Sequence, residues 1–505
     1  MAKSSAVFWM CVAVAAWLVA GSVSTADDKP EQPRSIRVGA GKSDITPPIG
    51  YPMSGYYYER GATGVLDPLH AKAVVFDDGS KRLAILACDL IGISTDLCQT
   101  VRQKVQQATG IPATHVMVTA THCHTAPDYY RDFRQYVAGK QDDSASDYPQ
   151  RLVSGMVTAV EKAAASLSDA TLHVGSGTES TVAFNRRFVT TDGSIRTWAN
   201  YQDPTVVRAA GPIDPAVDIL LVKTAAADAA AKPEDVLAAL TVFALHLDTT
   251  GGSQFSADFP HHLERTLQGT FGSQFLSLFA AGTCGDINHV NPRSKERNRP
   301  HVIGSRLGNA FLAAATDLRE VSPALGVKRR IVRVPMKSFT PEELAAAEAL
   351  IAKDSAGEKV PFLDEVKAYN TCLLALLRDG VKVEGGGPAA ARRNRGTAPN
   401  LVGCGAELPV EVQVLQLGRE TAVVGLPGEV FVELGLAIKR MSPYRQTLVI
   451  ELANGNETGY VPTRLAYQGG GYEVINSVLR EGAGEMLVDN AIELLRELKT
   501  ELRAD

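Results

Sequence analysis

Two histidines one residue apart, in Thr121-His122-Cys123-His124-Thr125, follow the apolar run Val116-Met117-Val118-Thr119-Ala120. The run is β-branched and reads as a buried strand. Residues i and i+2 of a strand share a face. His122 and His124 are therefore expected to project together from a strand end, where open α/β sheets place their chemistry. Two adjacent imidazoles are expensive to bury unless something uses them, and neutral imidazole suits zinc. A hydrogen-bonded structural pair would look the same in sequence.

Four further segments end an apolar strand or tight turn on polar residues. In Val242-Phe243-Ala244-Leu245-His246-Leu247-Asp248, His246 is either a third ligand or a satisfied core histidine. Nearby Asp258 and His261-His262 read as helix-capping and surface residues. In Gly282-Thr283-Cys284-Gly285-Asp286-Ile287-Asn288-His289, two glycines suggest either backbone amides turned toward a ligand or a turn capped by Asp286. In Leu426-Pro427-Gly428-Glu429-Val430-Phe431, Pro-Gly fixes a turn and Glu429 is expected to open a helix, where the dipole favours a carboxylate. In Asn454-Gly455-Asn456-Glu457-Thr458-Gly459-Tyr460-Val461-Pro462, followed by Tyr467 and Tyr472-Glu473, the aromatic hydroxyls could be ligands, substrate donors or turn covers.

The elements that must position these groups alternate along the chain. Strands are expected at 36–41, 71–76, 83–90, 116–120, 172–174, 219–224, 237–246, 275–280, 410–417, 421–426 and 447–452. Helices are expected at 95–109, 147–166, 259–269, 301–317 and 485–502, with two more within 340–378. Asp77-Asp78-Gly79-Ser80 should close a hairpin. The stretch 385–405 is Gly/Arg-rich and reads as a loop. With no repeat and no composition break, the expectation is α/β (mixed α+β): one large domain over 36–505 with its site at strand ends.

The 505 residues carry a formal net charge of -5, which offers nothing to nucleic acid. Lys328-Arg329-Arg330 reads as a solvated or loop cluster. Residues 1–26 have the form of a secretory signal peptide: Lys3, the apolar stretch Val7 to Ala20, then Ser24-Thr25-Ala26 before charged Asp27-Asp28-Lys29. Residues 27–35 read as a flexible lead-in. The mature chain is expected to be exported, periplasmic or extracellular. Export permits disulfides. Of the six cysteines left after cleavage, Cys372 and Cys404 are the expected pair, and Cys88 reads as a buried thiol. Cys123 and Cys284 lie in the motifs but neither reads as a nucleophile.

In order, these segments resemble the neutral (non-lysosomal) ceramidase family. The likeness starts at Val38-Gly39-Ala40-Gly41-Lys42-Ser43-Asp44-Ile45-Thr46-Pro47-Pro48 and runs to about residue 480. It implies a catalytic domain with Zn2+ held by His122, His246, Glu429 and Tyr460. It places His124 on the substrate side, and Arg186 of Asn185-Arg186 together with Tyr472 at the substrate amide. The chain departs from the family's Gly-Asp-Val-Ser-Pro-Asn, reading Gly285-Asp286-Ile287-Asn288-His289-Val290-Asn291. Asn288 replaces the serine sometimes assigned as nucleophile, and an amide cannot serve so. Metal-activated water is the implied nucleophile, with Asn288 orienting water or substrate. The His-x-His segment continues Thr125-Ala126-Pro127-Asp128 rather than Ser-Gly-Pro, and the immunoglobulin-like domain that follows in family members is not expected here. The resemblance implies a zinc-dependent hydrolase of an N-acyl amide. Its substrate would be amphiphilic, ceramide or a related acyl amide, reached through transient contact with a membrane surface. A zinc hydrolase of another ester or amide, and a ligand-binding protein on a hydrolase scaffold, are the alternatives.

Overall fold

The computed structural model describes residue 1 and residues 36–504, apart from 59, 138–145, 226–234 and 382–397. The signal-peptide and lead-in expectations, and most of the Gly/Arg-rich stretch, lie outside the described residues.

Two sheets pack face to face. The larger runs in the spatial order Leu276–Ala281, Val236–Phe243, Ala216–Thr224, Ser168–Thr178, Ile36–Asp44, His70–Asp77, Arg82–Cys88, Val116–Ala120, with Arg319–Glu320 paired onto Ser168–Thr178. Its pairs are antiparallel except at the two ends, where Val236–Phe243 runs parallel to Leu276–Ala281 and Arg82–Cys88 parallel to Val116–Ala120. The smaller sheet orders Pro323–Pro335, Glu407–Gly418, Thr421–Gly425 and Gln446–Ile450, the last two parallel. Alternation along each strand sends one apolar set between the sheets, where Val74, Ile85, Met117, Leu240 and Leu278 meet Leu415, Val423, Leu448 and Ile450.

The outer face of the larger sheet is covered by helices Thr95–Thr109, Tyr148–Ala165, Phe259–Phe271 and Pro300–Ala314. The amphipathic stripe of the first buries Leu97, Val101 and Val105, and Gly110 ends it in the left-handed conformation (φ 74°). The outer face of the smaller sheet is covered by Phe362–Asp379, Val432–Met441 and Ala483–Ala504. The result is a mixed α/β assembly of helix, sheet, sheet and helix layers. Among the described residues no helix is long and apolar enough to cross a membrane.

Several expectations are corrected here. Of the two readings of Lys328-Arg329-Arg330, the solvated face stands and the loop does not: the three lie, Arg329 exposed, in the middle of the Pro323–Pro335 strand. Its cations are matched by Glu501, Glu411 and Glu493, which removes the electrostatic objection to a strand there. Glu429 does not open a helix. It begins a two-residue strand beside Tyr460–Val461, and the helix starts at Val432, capped by the Asp286 carboxylate. The expected Cys372–Cys404 disulfide is not formed. Cys372 is a buried thiol packed with Ala347, Ile351 and Tyr369, whereas Cys404 packs against the separate cluster under the smaller sheet. Asp258 does cap its helix, accepting from Phe259 N at 2.6 Å.

A candidate metal-centred active site

All the motifs leave the sheets at the carboxyl ends of strands that belong to parallel pairs. Val116–Ala120 leads to His122, Val236–Phe243 to His246, Leu276–Ala281 to Gly285 and Asn288, Thr421–Gly425 to Glu429, and Gln446–Ile450 to Glu451. Parallel neighbours end side by side, so three such pairs deliver their loops to one place. The loops are then stitched together. Cys123 bridges Leu247, His124 N donates to Leu247 O (3.0 Å), Gly285 N to Val430 O (2.9 Å), and Glu429 N to Gly459 O (3.0 Å).

His122 and His124 converge, but not through strand alternation. The strand stops at Ala120, and His122 sits at φ 73°, a left-handed backbone that costs a non-glycine residue about 1–2 kcal/mol. The turn places the His122 and His124 rings edge to face with centroids 4.9 Å apart, and His246 4.5 Å from His122. Each imidazole is oriented by a main-chain carbonyl at its Nδ1: Ile91 for His122, Gly55 for His124, Cys284 for His246, all at 2.9 Å. A carbonyl only accepts, so each Nδ1 carries the proton and each Nε2 presents a lone pair.

Those lone pairs face one another. His122 Nε2 lies 3.4 Å from His124 Nε2, and Glu429 Oε2 lies 3.4 Å from His122 Nε2 and 3.2 Å from His246 Nε2. The ligand atoms of the three histidines all fall within 4.8 Å of one another. Glu429 Oε2 is buried with no hydrogen-bond partner. Acceptors gathered in this way repel, the Arg186 N–H that reaches His246 Nε2 (3.2 Å) relieves only one of them, and a cation among them would relieve the rest. Tetrahedral zinc with bonds of 2.0–2.1 Å sets its ligand atoms about 3.3 Å apart, close to the His122–His124, His122–Glu429 and His246–Glu429 separations of 3.4, 3.4 and 3.2 Å. Burial holds His124 down to about 3 and, with Arg186, His246 down to about 4, so both are neutral imidazoles at neutral pH. Burial pulls on His122 too, but the Glu429 charge overrides it and raises that group. Glu429 is held well below the usual carboxylate range, against its burial, by His122 and His246.

Arg186 is buried beside this cluster. It donates to Glu473 Oε1 (2.8 Å), Gly285 O (2.8 Å), the Tyr460 hydroxyl (3.0 Å) and His246 Nε2 (3.2 Å). Glu473 also binds Arg187 at 2.7 Å, which anchors the turn carrying Tyr472. Burial, with the nearby Glu429 charge, raises the Tyr460 phenol far above the ordinary value. Tyr472 packs between Trp198 (4.7 Å) and Phe362 (5.8 Å), its hydroxyl accepting from Asn476 at 3.0 Å. Asn288 is buried, with Oδ1 accepting from Val290 N.

Two cavities meet at this centre. One of about 1020 Å³ is lined by His124, Arg186, Trp198, His246, Asn288 and Tyr472 among others; one of about 290 Å³ is lined by His122, Glu429, Tyr130, Leu373 and Val478. Gly55, Tyr56, Tyr57, His124, Tyr460 and Tyr472 border both.

All eight residues singled out in sequence thus come together. Three stand differently from the expectation. His124, expected on the substrate side, has its Nε2 as close to that of His122 as Glu429 Oε2 is. Tyr460, expected among the ligands, has its hydroxyl engaged by Arg186. Arg186, expected at the substrate amide, donates to Glu473, Gly285 O, Tyr460 and His246. Sequence reading missed the Ser54–Arg60 loop, where Gly55 O orients His124 and Arg60 donates to His124 O and Ser54 O. The tyrosine run Tyr56-Tyr57-Tyr58 was its one signal. Also missed were Asp248, whose carboxylate lies 2.8 Å from buried His289, and the carboxylates of Glu451 and Glu473.

Residues 36–249 match the family model described as neutral/alkaline non-lysosomal ceramidase, N-terminal. The chain is 25% identical to the neutral ceramidase of Pseudomonas aeruginosa over 531 residues, covering 95% of this chain and 74% of that protein. A crystal structure of neutral ceramidase from Pseudomonas aeruginosa shares the fold with a TM-score of 0.66 at 19% identity, over 92% of this chain and 75% of that one. A structure titled as ceramidase complexed with C2 does so with a TM-score of 0.67, also at 19% identity, over 92% and 76%. Residues 36–249 are thus similar to the N-terminal part of the neutral/alkaline non-lysosomal ceramidases, and the chain shares the fold of the neutral ceramidase from Pseudomonas aeruginosa.

Proposed function

We propose that this chain is an exported hydrolase of the amide bond in an N-acyl amphiphile, ceramide or a related acyl amide, and that it works with zinc. The observation that carries the reading is the clustering of three histidines, two of which, His122 and His246, turn Nε2 toward the buried Glu429 Oε2. His122, His246 and Glu429 would hold the ion, with His124 or Tyr460 completing the set. Zinc bound there would supply a Lewis acid and bring the pKa of its water to about 7.

The chain's own groups do the rest. Nδ1–H bonds to Ile91, Gly55 and Cys284 fix which nitrogen each imidazole presents, so no reorganisation precedes binding. Arg186 holds a buried positive charge against Tyr460 and His246, where an oxyanion formed in the cavity would be stabilised. Its donors engage protein oxygens and His246 Nε2, so it acts through its charge and by fixing Tyr460 and His246. Asn288 and Tyr472 line the larger cavity and offer polar contacts to substrate or water. With asparagine where a serine nucleophile would stand, the attacking group is water. The aromatic wall of Tyr56, Tyr57, Trp198 and Phe362 suits the apolar part of an amphiphile.

The test is fatty-acid release from ceramide by mature protein, zinc-loaded against chelated, alongside zinc content per chain for His122→Ala, His124→Ala and Tyr460→Phe. Release should require zinc, and His122→Ala should lose both. Whichever of the other two variants loses zinc names the fourth ligand. If His122→Ala keeps metal and activity, the site is wrong. If the wild type holds one zinc per chain but releases nothing, ceramide is discarded and other acyl amides and esters become the substrates to screen.

A further inference from the structure

Beneath the histidine cluster lies a carboxylate with no place in the chemistry above. Glu451 ends the Gln446–Ile450 strand and is fully buried. Its Oε2 accepts from Val430 N at 2.7 Å and Cys284 N at 3.0 Å, and its Oε1 from the Cys284 thiol at 3.0 Å. Its own N–H donates to Ala281 O at 3.0 Å, and its carbonyl accepts from Thr119 Oγ1 at 3.0 Å. One residue therefore ties together the exits of Val116–Ala120, Leu276–Ala281, Thr421–Gly425 and its own strand.

Each peptide it grips is next to a metal-facing group. The Cys284 carbonyl receives the Nδ1–H of His246, so the position of that peptide sets which way the His246 Nε2 points. Val430 follows Glu429 directly, and its carbonyl accepts from Gly285 N. Two of the three groups aimed at the Glu451 carboxylate are main-chain N–H donors, both on Oε2, and the third is the Cys284 thiol at Oε1. A glutamine could keep both N–H bonds through its carbonyl while turning its NH2 to the sulfur, so it preserves most of the grip. An apolar side chain would leave the buried Val430 and Cys284 N–H groups without acceptors.

We propose that Glu451 is a positioning residue that fixes the orientation of His246 and the place of Glu429, and so sets the affinity of the centre for its ion. The proposal rests on the reading that these residues hold a metal. Outer partners that orient ligands in this way typically change metal affinity by about 10–100-fold when lost.

The experiment is zinc affinity by competition with a chelator for the wild type, Glu451→Gln, Glu451→Ala and Val423→Ala, with folding followed by circular dichroism and urea unfolding. Val423 is fully buried between the sheets away from the centre and serves as the control for lost stability. Glu451→Ala should bind zinc about 10–100-fold more weakly, Glu451→Gln should fall between it and wild type, and Val423→Ala should bind as wild type although less stable. If Glu451→Ala does not fold, Glu451→Gln carries the comparison. Wild-type affinity in both Glu451 variants, or an equal loss in Val423→Ala, overturns the positioning role. A wild type that binds no zinc overturns the metal reading instead.

Discussion

Gly55 offers a sharp test of how the second histidine is held. Its φ is +101°, and a Cβ built on it would lie 2.6 Å from His124 O, 2.8 Å from His124 Cα and 2.9 Å from His124 Cβ. The first two are main-chain atoms that no rotamer change can move, so Gly55→Ala must displace the loop. Restoring ordinary contact takes a shift of roughly 0.6–1 Å, given carbon contacts near 3.5 Å. The Gly55 O to His124 Nδ1 bond, 2.9 Å long, would then stretch beyond bonding range. Backbone strain of about 1–2 kcal/mol and a lost hydrogen bond of about 1 kcal/mol give a destabilisation of about 2–3 kcal/mol. A freed His124 ring should also weaken zinc binding by about 10–100-fold. Gly50 supplies the control. Its φ is +91°, with nothing within 4 Å of a built Cβ, so Gly50→Ala bears the strain without touching a site residue. Urea unfolding and chelator competition on both variants decide the matter. If the two lose equal stability and bind zinc alike, the Gly55 carbonyl does not position His124.

Two further outcomes are expected. Arg186→Met removes a buried cation from Glu473, Gly285 O and Tyr460 at once and should cost about 3–5 kcal/mol in urea unfolding; a loss under about 1 kcal/mol would mean the network relaxes around the gap. His70 is pushed down to about 4 by burial, with Lys72 adding to the effect, so the unfolded chain takes up that proton first as pH falls. Its contribution is whole above about 6.5 and is lost as pH drops toward 4. His70→Gln should flatten the fall in urea midpoint between pH 7 and pH 4, and parallel curves would show that His70 does not titrate so low.

The sequence was most informative where one physical rule governs a segment. The 3.6-residue stripe of Leu97, Val101 and Val105 ahead of Gly110 marked a helix, and the structure ends it at that glycine. Asp77-Asp78-Gly79-Ser80 marked a hairpin, and Asp78 does fold the turn by accepting from Ser80 N and Lys81 N. The reading failed where the deciding partner is distant in sequence. Lys328-Arg329-Arg330 hid a thirteen-residue strand because its matching glutamates lie 82 to 173 residues away. Glu429 suggested a helix start because its pairing with Tyr460 is not visible locally. In the site, residue types could be picked out because His, Glu and Tyr are conspicuous among apolar neighbours. Their orientation could not, because it is set by carbonyls of Ile91, Gly55 and Cys284 that any side chain could have supplied.

That division explains why the centre can be both strained and firm. Three residues at the strand exits, His122, Leu452 and Asn454, hold positive φ without being glycine. Such backbones persist only where surrounding contacts over-determine them. Here the contacts are plain: His122 N and Cys123 N both donate to Leu90 O, Leu452 N to Gly428 O, and Asn454 N to Val118 O. Asn454 Oδ1 in turn accepts from Val118 N, and its amide donates to Gln413. Each strained residue is thus pinned by main-chain bonds to a different strand or loop. The strain turns the chain sharply at the end of its strand and aims side chains inward. The lattice of bonds between loops keeps those side chains from relaxing apart when their lone pairs repel. On the reading that the centre holds an ion, its ligands would stand near their final spacing before that ion arrives, and the cation would relieve the repulsion between them.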